Sequence, residues 1–222
     1  MIRRPSPNAD ARPEDVPIDM LVLHYTGMES AAAALDQLCD SAAKVSAHYL
    51  IDEDGSVTAL VNEERRAWHA GVASWRGRRD INARSIGIEL VNPGHEFGYQ
   101  PFPEAQMAAL LDLVPAVLMR HPIAPQNVVG HSDIAPRRKS DPGELFDWRR
   151  LARAGIGQWP DTIQPGLTNE ADVRSHLARI GYETDDLSAT VLAFQRRFRP
   201  DRLDGQIDSE TAGLVAALAR TS

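Results

Sequence analysis

The sequence predicts an α/β protein, a mixed β-sheet flanked by helices, with a small three-helix domain behind it. Three observations carry that reading. Short apolar runs bounded by turn residues alternate with helical patterns as far as Gly155. From about Gly166 onward only helical periodicity is found. Between the two regions lies "WPDTIQPG", whose two prolines and glycine read as a linker.

The elements follow in order. Residues 1–17 are polar and proline-rich and read as an extended N-terminal arm. "DMLVLHYTG" is a short apolar run ending in polar residues, as in a buried strand, and "ESAAAALDQLCDSAA" is alanine-rich and helical. Cys39, the single cysteine, lies in that helix and reads as a small core residue. "HYLIDEDGSVTALV" gives two strands joined at Asp54-Gly55. "ARSIGIELVNPG" is a strand stopped by Asn92-Pro93-Gly94. "PEAQMAALLDLVPAVLMRH" is a long helix opened by Pro103 and expected to kink at Pro115. "QNVVGHS" reads as a strand and "DWRRLARAG" as a helix ending at Gly155. In the tail, Val173, Leu177 and Ile180 share one helical face, Val191, Phe194 and Phe198 another, and "DSETAGLVAALAR" makes a third helix. The expected organisation is an arm over 1–17, a catalytic domain over 18–157, a linker over 158–166 and a helical domain over 167–222, each domain with its own core.

Composition narrows the function. The chain has 222 residues, 43% hydrophobic and 25% charged, enough to bury a core without disulfides. Its net charge is −7, and acidic side chains outnumber basic ones on both sides of the linker, so the basic footprint of a nucleic-acid binder is missing. No run of about 18 apolar residues is present, so no transmembrane helix is expected. The two arginines near the N-terminus have no apolar stretch behind them, so no secretory signal is expected; with a single cysteine, this favours the cytoplasm. The oligomeric state is not written in the sequence.

The chemistry concentrates in four places. His24 and His131 each end a predicted strand, where functional groups reach a sheet edge, and Asp141 follows ten residues after His131 on a loop stiffened by Pro136 and Pro142. Two imidazoles and a carboxylate, with water in the fourth position, would make an open catalytic zinc site, although a lone histidine at a strand end is more often just hydrogen-bonded. In "SIGIEL", Ile86, Ile88 and Leu90 share one face, while Ser85, Gly87 and Glu89 share the other. Two small residues beside a carboxylate leave an open surface for substrate; the plain alternative is a solvated strand face. Lys139, two residues before Asp141, could stabilise an oxyanion or could be a surface lysine in the run Arg137-Arg138-Lys139.

Taken together and in order, "LVLHYTG", "AWHAG", "SIGIELVN" and "GHSDIAPRRKSDPG" resemble the zinc-dependent N-acetylmuramoyl-L-alanine amidases, from the superfamily that includes the peptidoglycan recognition proteins. The resemblance covers Val16 to Gly157 and is nearest the bacterial branch with aspartate as third ligand. It implies Zn2+ on His24, His131 and Asp141, with Glu89 and Lys139 as the catalytic pair. His69 and Trp68 of "AWHAG" are implied near the substrate groove, His69 as a contact to substrate or to a ligand, and His48 either lines the groove or packs beneath it. The implied reaction cleaves the amide between the lactyl group of N-acetylmuramic acid, in its ordinary or 1,6-anhydro form, and L-alanine of the stem peptide. The rival on the same fold is a non-catalytic peptidoglycan receptor, which would lack a complete ligand set. The tail, with "VRSHLARIGY", "VLAFQRRF" and "DGQIDSETAGLVAAL", resembles the small three-helix peptidoglycan-binding domain of wall enzymes. Such a domain suits the periplasm or cell wall, in tension with the cytoplasmic expectation; the implied partners are peptidoglycan or its muropeptide fragments.

Overall fold

A computed structural model of the chain describes residues 1–160 and 169–221. The expected linker over 158–166 therefore lies mostly outside the described residues, as do 167 and 168. In chain order the elements are β1 (Ile2–Arg3), β2 (Ala9–Ala11), β3 (Met20–Tyr25), α1 (Ala31–Cys39), β4 (Tyr49–Ile51), β5 (Val57–Ala59) and β6 (Arg65–Ala67). Then come α2 (Ile81–Arg84), β7 (Ser85–Leu90), α3 (Gly94–Phe97), α4 (Glu104–Arg120), β8 (Val128–Gly130), α5 (His131–Ile134) and α6 (Trp148–Arg153). The tail holds α7 (Glu170–Ile180), α8 (Leu187–Phe198) and α9 (Ser209–Leu218).

The sheet is mixed, in the order β1-β5-β4-β7-β3-β8. Its centre is parallel: β3 pairs with both β7 and β8, and β4 pairs with β7. Parallel strands covered on both faces read as continuous apolar runs, and all of β7 and all of β3 but Tyr25 are buried. Alternation along β3 divides its side chains between two cores. Leu21 and Leu23 pack with Ile86, Ile88 and Leu90 against α4, through Leu110, Val114 and Val117. Met20 and Val22 face the other way, with Val129 and Ile134.

That second core changes the domain picture. It runs without interruption from Met20 and Val22 into Val173, Leu177, Val191, Phe194 and Val215 of the three C-terminal helices. The expectation of separate cores fails here: periodicity shows that a helix has an apolar face but not what the face meets. Within the tail, Gln195 ties the bundle together, its amide nitrogen donating to Asp204 and Gln206 and its oxygen accepting from the backbone N–H groups of Asp204 and Gly205. Asn169, Asp186 and Asp208 cap the three helices.

Two further differences concern the edges. The N-terminal arm is extended, but it is paired rather than free, with β1 parallel to β5 and β2 antiparallel to β6. Arg12 fastens it, donating to the backbone carbonyls of Glu63, Asn82, Ala83 and Ser85 at 2.7–3.1 Å. Burial lowers this guanidinium's pKa to about 10, and it stays charged. Cys39 ends α1, partly buried against the core of Ala34, Leu38 and Leu50. Replacing Arg12 with Met would strand four carbonyls beneath the arm. Arg12→Met is expected to cost about 2–4 kcal/mol in denaturant unfolding; a loss well under 1 kcal/mol would mean that the arm contributes little to stability.

Candidate active site

The parallel strands deliver their chemistry at one edge. His24 and Glu89 are register partners near the C-terminal ends of β3 and β7. On the other side of β3, Gly130 ends β8 opposite Leu23, and His131 follows as the first residue of α5. The sequence pattern put His131 at a strand end; the chain turns helical one residue earlier. Ligands of open α/β sheets collect outside the carboxyl ends of the strands, and a cavity of about 460 Å3 opens here. His24, His69, Glu89, His131, Lys139 and Asp141 all line it.

Three of these side chains meet at a point. His24 Nδ1 lies 3.0 Å from His131 Nδ1 and 3.0 Å from Asp141 Oδ2, and His131 Nδ1 lies 3.1 Å from the same oxygen. All three residues are buried. Their hydrogen-bond partners decide where the protons sit. His131 Nε2 is 3.0 Å from the carbonyl of Ala70, which can only accept, so the ring proton is on Nε2 and Nδ1 carries a lone pair. The His24 ring is held through a chain of hydrogen bonds. Ser85 Oγ donates to the carbonyl of Ile81, which leaves it to accept from His69 Nε2 at 3.1 Å. His69 Nδ1 is then an acceptor for His24 Nε2 at 3.0 Å, and His24 Nδ1 also carries a lone pair. Two imidazole lone pairs and a carboxylate oxygen face one another with no proton between them, and only a cation resolves that arrangement. Zinc bonds to N and O ligands at about 2.0–2.1 Å, which in a tetrahedron spaces ligand atoms roughly 3.3 Å apart. The observed triangle needs to open by only a few tenths of an ångström, so the residues fit the ion.

Small residues make this possible. A Cβ on Gly87 would sit 2.5 Å from the ring of His69, so the glycine in "SIGIEL" is what lets the histidine lie on the strand. The face expected to be open above Ser85 and Gly87 is therefore covered by His69, and only its Glu89 end reaches the cavity. Below, His48 is buried and its Nδ1 accepts from the Gly87 N–H, which places it beneath the site rather than in it. A Cβ on Gly130 would lie 2.8 Å from Pro142, next to Asp141, and the Ser132 N–H donates to the Asp141 carbonyl, so the two ligand-bearing segments are pinned together.

Glu89 is 8% exposed, and its Oε2 has no hydrogen-bond partner. Burial, with the Asp141 charge adding to it, pushes its pKa well above the ordinary carboxylate range, and Lys139 offsets part of that. Lys139 is exposed at the cavity rim. Trp68 is half-buried, with its backbone paired to Ser46, and is not among the residues lining the cavity. Trp75 is in the core shared with the C-terminal helices, edge-on to Tyr182. Of the remaining histidines, His95 bridges Tyr25 and Glu144, His121 pairs with Glu63, and His176 bonds within α7.

The family model described as N-acetylmuramoyl-L-alanine amidase matches residues 14–144, more than half of the chain. This chain belongs to that family. The amidase is 38% identical to the N-acetylmuramoyl-L-alanine amidase AmiD of Escherichia coli, over 90% of this chain and 82% of that protein. It is 37% identical to the 1,6-anhydro-N-acetylmuramyl-L-alanine amidase AmpD of Haemophilus influenzae, over 65% of this chain and 86% of that one. Among solved structures, AmpDh3 of Pseudomonas aeruginosa superposes with a TM-score of 0.85 at 36% identity, covering 98% of both chains. The complex of E. coli AmiD with anhydro-N-acetylmuramic acid-L-Ala-D-γ-Glu-L-Lys superposes at 0.84 and 36%, covering 96% of this chain and 93% of that one. The expected fold and family hold, and the last two likenesses extend over the C-terminal helices. Among the described residues, no helix of the amidase is long and apolar enough to cross a membrane.

Burying neutral histidines makes the metal-free amidase sensitive to acid. Burial lowers the pKa of His24 to about 4, that of His48 to about 3 and that of His69 well below 6.5. In the unfolded chain each takes up a proton near its ordinary value, so below pH 6.5 the unfolded state binds more protons and stability falls with pH. Each histidine contributes about 1.4 kcal/mol per pH unit, and Glu89, whose raised pKa lets the folded state hold a proton the unfolded chain has lost, offsets about one of them, leaving up to roughly 3 kcal/mol per unit between about pH 6.5 and 4.5. Denaturant unfolding with chelator at pH 7, 6 and 5 should reveal this slope. A dependence below one proton would place the imidazoles in water.

Proposed function

We propose that this amidase holds one zinc ion on His24, His131 and Asp141 and hydrolyses the amide between the lactyl group of N-acetylmuramic acid and L-alanine of the stem peptide. The observation that carries the reading is Glu89, a buried carboxylate with an unpartnered oxygen and a raised pKa, at the edge of a cavity where three lone pairs converge. Zinc at such a site supplies Lewis acidity, bringing the pKa of water toward 7 and polarising the amide carbonyl.

The chain's own groups do the rest. Glu89 accepts a proton from the attacking water, and its raised pKa makes it a strong enough base near neutral pH and still able to give the proton up. Water oxygen bonds to the lactyl carbonyl carbon, and Lys139, at the rim, offers a counter-charge to the oxyanion. Glu89 then returns the proton to the alanine nitrogen as the C–N bond breaks, releasing a lactyl carboxylic acid and the free peptide. The His24–His69–Ser85 chain fixes the ligand tautomer throughout and gains or loses no proton. His69 thus touches a candidate ligand, and it also lines the cavity where substrate would lie.

The substrate class follows from what the relatives bind, the substrate anhydro-N-acetylmuramic acid-L-Ala-D-γ-Glu-L-Lys on AmiD and an anhydromuramic pentapeptide on AmpDh3. We infer that this chain accepts anhydromuropeptides, with the C-terminal helices as a wall-binding module. Recycled soluble fragments would place it in the cytoplasm, and intact wall in the periplasm. Mass spectrometry of digests of soluble anhydromuropeptides and of insoluble wall separates the two.

Elemental analysis of the purified protein should find one zinc per chain, and chelation should abolish turnover. Glu89→Gln should keep the zinc and lose about 10²–10⁴-fold in rate, the span typical of a general base. Wild-type turnover in Glu89→Gln would move the base elsewhere, and metal-free activity would end the zinc reading.

A further inference from the structure

We propose that Arg197, on the middle C-terminal helix, is a positioning residue for the metal site, so that the helical region is part of the apparatus holding His131 and Asp141. This rests on the zinc reading above but concerns residues that touch neither metal nor substrate.

A buried ion pair joins the two halves of the chain. Arg197 Nη1 donates to Asp133 Oδ2 at 2.7 Å, with the two side chains 5% and 1% exposed. Arg197 Nη2 reaches on to the carbonyl of Val128 in β8 at 3.1 Å. Tyr182, in the turn after α7, donates to Asp133 Oδ1 at 2.6 Å. Asp133 is the third residue of α5, whose first residue is His131, and its Oδ2 also accepts from the Gly130 N–H at 2.8 Å. One carboxylate thus joins the strand that ends at the metal ligand, the turn that carries it and two groups of the helical region.

The second ligand is reached through packing. The Arg197 guanidinium lies 4.0 Å from the centre of the Trp148 ring. Trp148 and Pro142 close on Gly130, where an added Cβ would sit 3.2 Å from the tryptophan and 2.8 Å from the proline. Asp141 precedes that proline, and its carbonyl accepts from Ser132 of α5. Removing Arg197 would release α5 from below and loosen the stack against which the Asp141 loop rests. Metal sites tolerate little of this, and loss of groups that orient ligands typically weakens metal affinity about 10–100-fold.

Arg199 supplies the control. It sits two residues further on, as the C-cap of the same helix, and pairs with Asp208 and Glu210, both inside the helical region. Losing it should destabilise the bundle without disturbing α5. The experiment compares full-length wild type, Arg197→Met and Arg199→Met by zinc competition with a chromophoric chelator at neutral pH. The metal-free forms are compared by hydrogen exchange over residues 131–141. The expected result is about 10–100-fold weaker zinc binding and faster exchange in Arg197→Met, with Arg199→Met within about twofold of wild type in affinity. Equal zinc affinity in the two variants overturns the proposal. Should Arg197→Met fail to fold, Tyr182→Phe, which deletes one oxygen, decides: several-fold weaker zinc binding supports the proposal and wild-type affinity overturns it. If the wild type itself takes no zinc, the metal reading fails, and exchange over 131–141 alone decides this one.

Discussion

Everything in this molecule is arranged around a repulsion. Two imidazole nitrogens and a carboxylate oxygen stand 3.0–3.1 Å apart with their lone pairs turned toward one another. Left to themselves, such groups would separate, take up protons or turn to water. The fold prevents all three by occupying the far side of each group. His131 is held by the Ala70 carbonyl, His24 by His69 and through it Ser85 and Ile81, and the Asp141 backbone by Ser132. Burial then disfavours protonation of the His24 ring, so its lone pair stays ready for a cation.

That arrangement accounts for features that otherwise look unrelated. The central strands are parallel because three of them must end side by side to present Glu89, His24 and the start of α5 at one edge. Glycine at 87 admits the ring that fixes His24, and glycine at 130 admits the proline beside Asp141. The C-terminal helices cover the sheet face that carries Met20, Val22 and, at its far end, His24. They are therefore the floor of the catalytic half rather than an appendage.

Much of this was legible in the sequence, and the rest was not, for physical reasons. The candidate ligands His24, His131 and Asp141 could be brought together from the sequence because each lies in a local pattern, a strand end or a proline-braced loop, that positions it without reference to distant chain. Glu89 could be assigned to the face opposite Ile86 and Ile88 by alternation alone. What covers that face could not, since His69 arrives from a loop whose path is set by tertiary packing. The same holds for Arg197 and Asp133, an arginine and an aspartate 64 positions apart, each indistinguishable in sequence from a solvated surface charge. Helical periodicity placed the tail's apolar faces correctly, yet implied a closed bundle where the structure has a core shared with the sheet. The arm's polar, proline-rich sequence marks it as extended, which it is, but its pairing with β5 and β6 depends on edges the sequence does not display.

The central claim is that the hydrogen-bond chains leave both Nδ1 atoms, and not the Nε2 atoms, free for the metal. Diffraction from zinc-loaded crystals, with anomalous data at the zinc edge, tests it directly. The account predicts a single strong peak at about 2.0–2.1 Å from His24 Nδ1, His131 Nδ1 and an oxygen of Asp141, with the His24 Nε2 contact to His69 and the His131 Nε2 contact to Ala70 intact. A peak on either Nε2, or one placed away from Asp141, would contradict it.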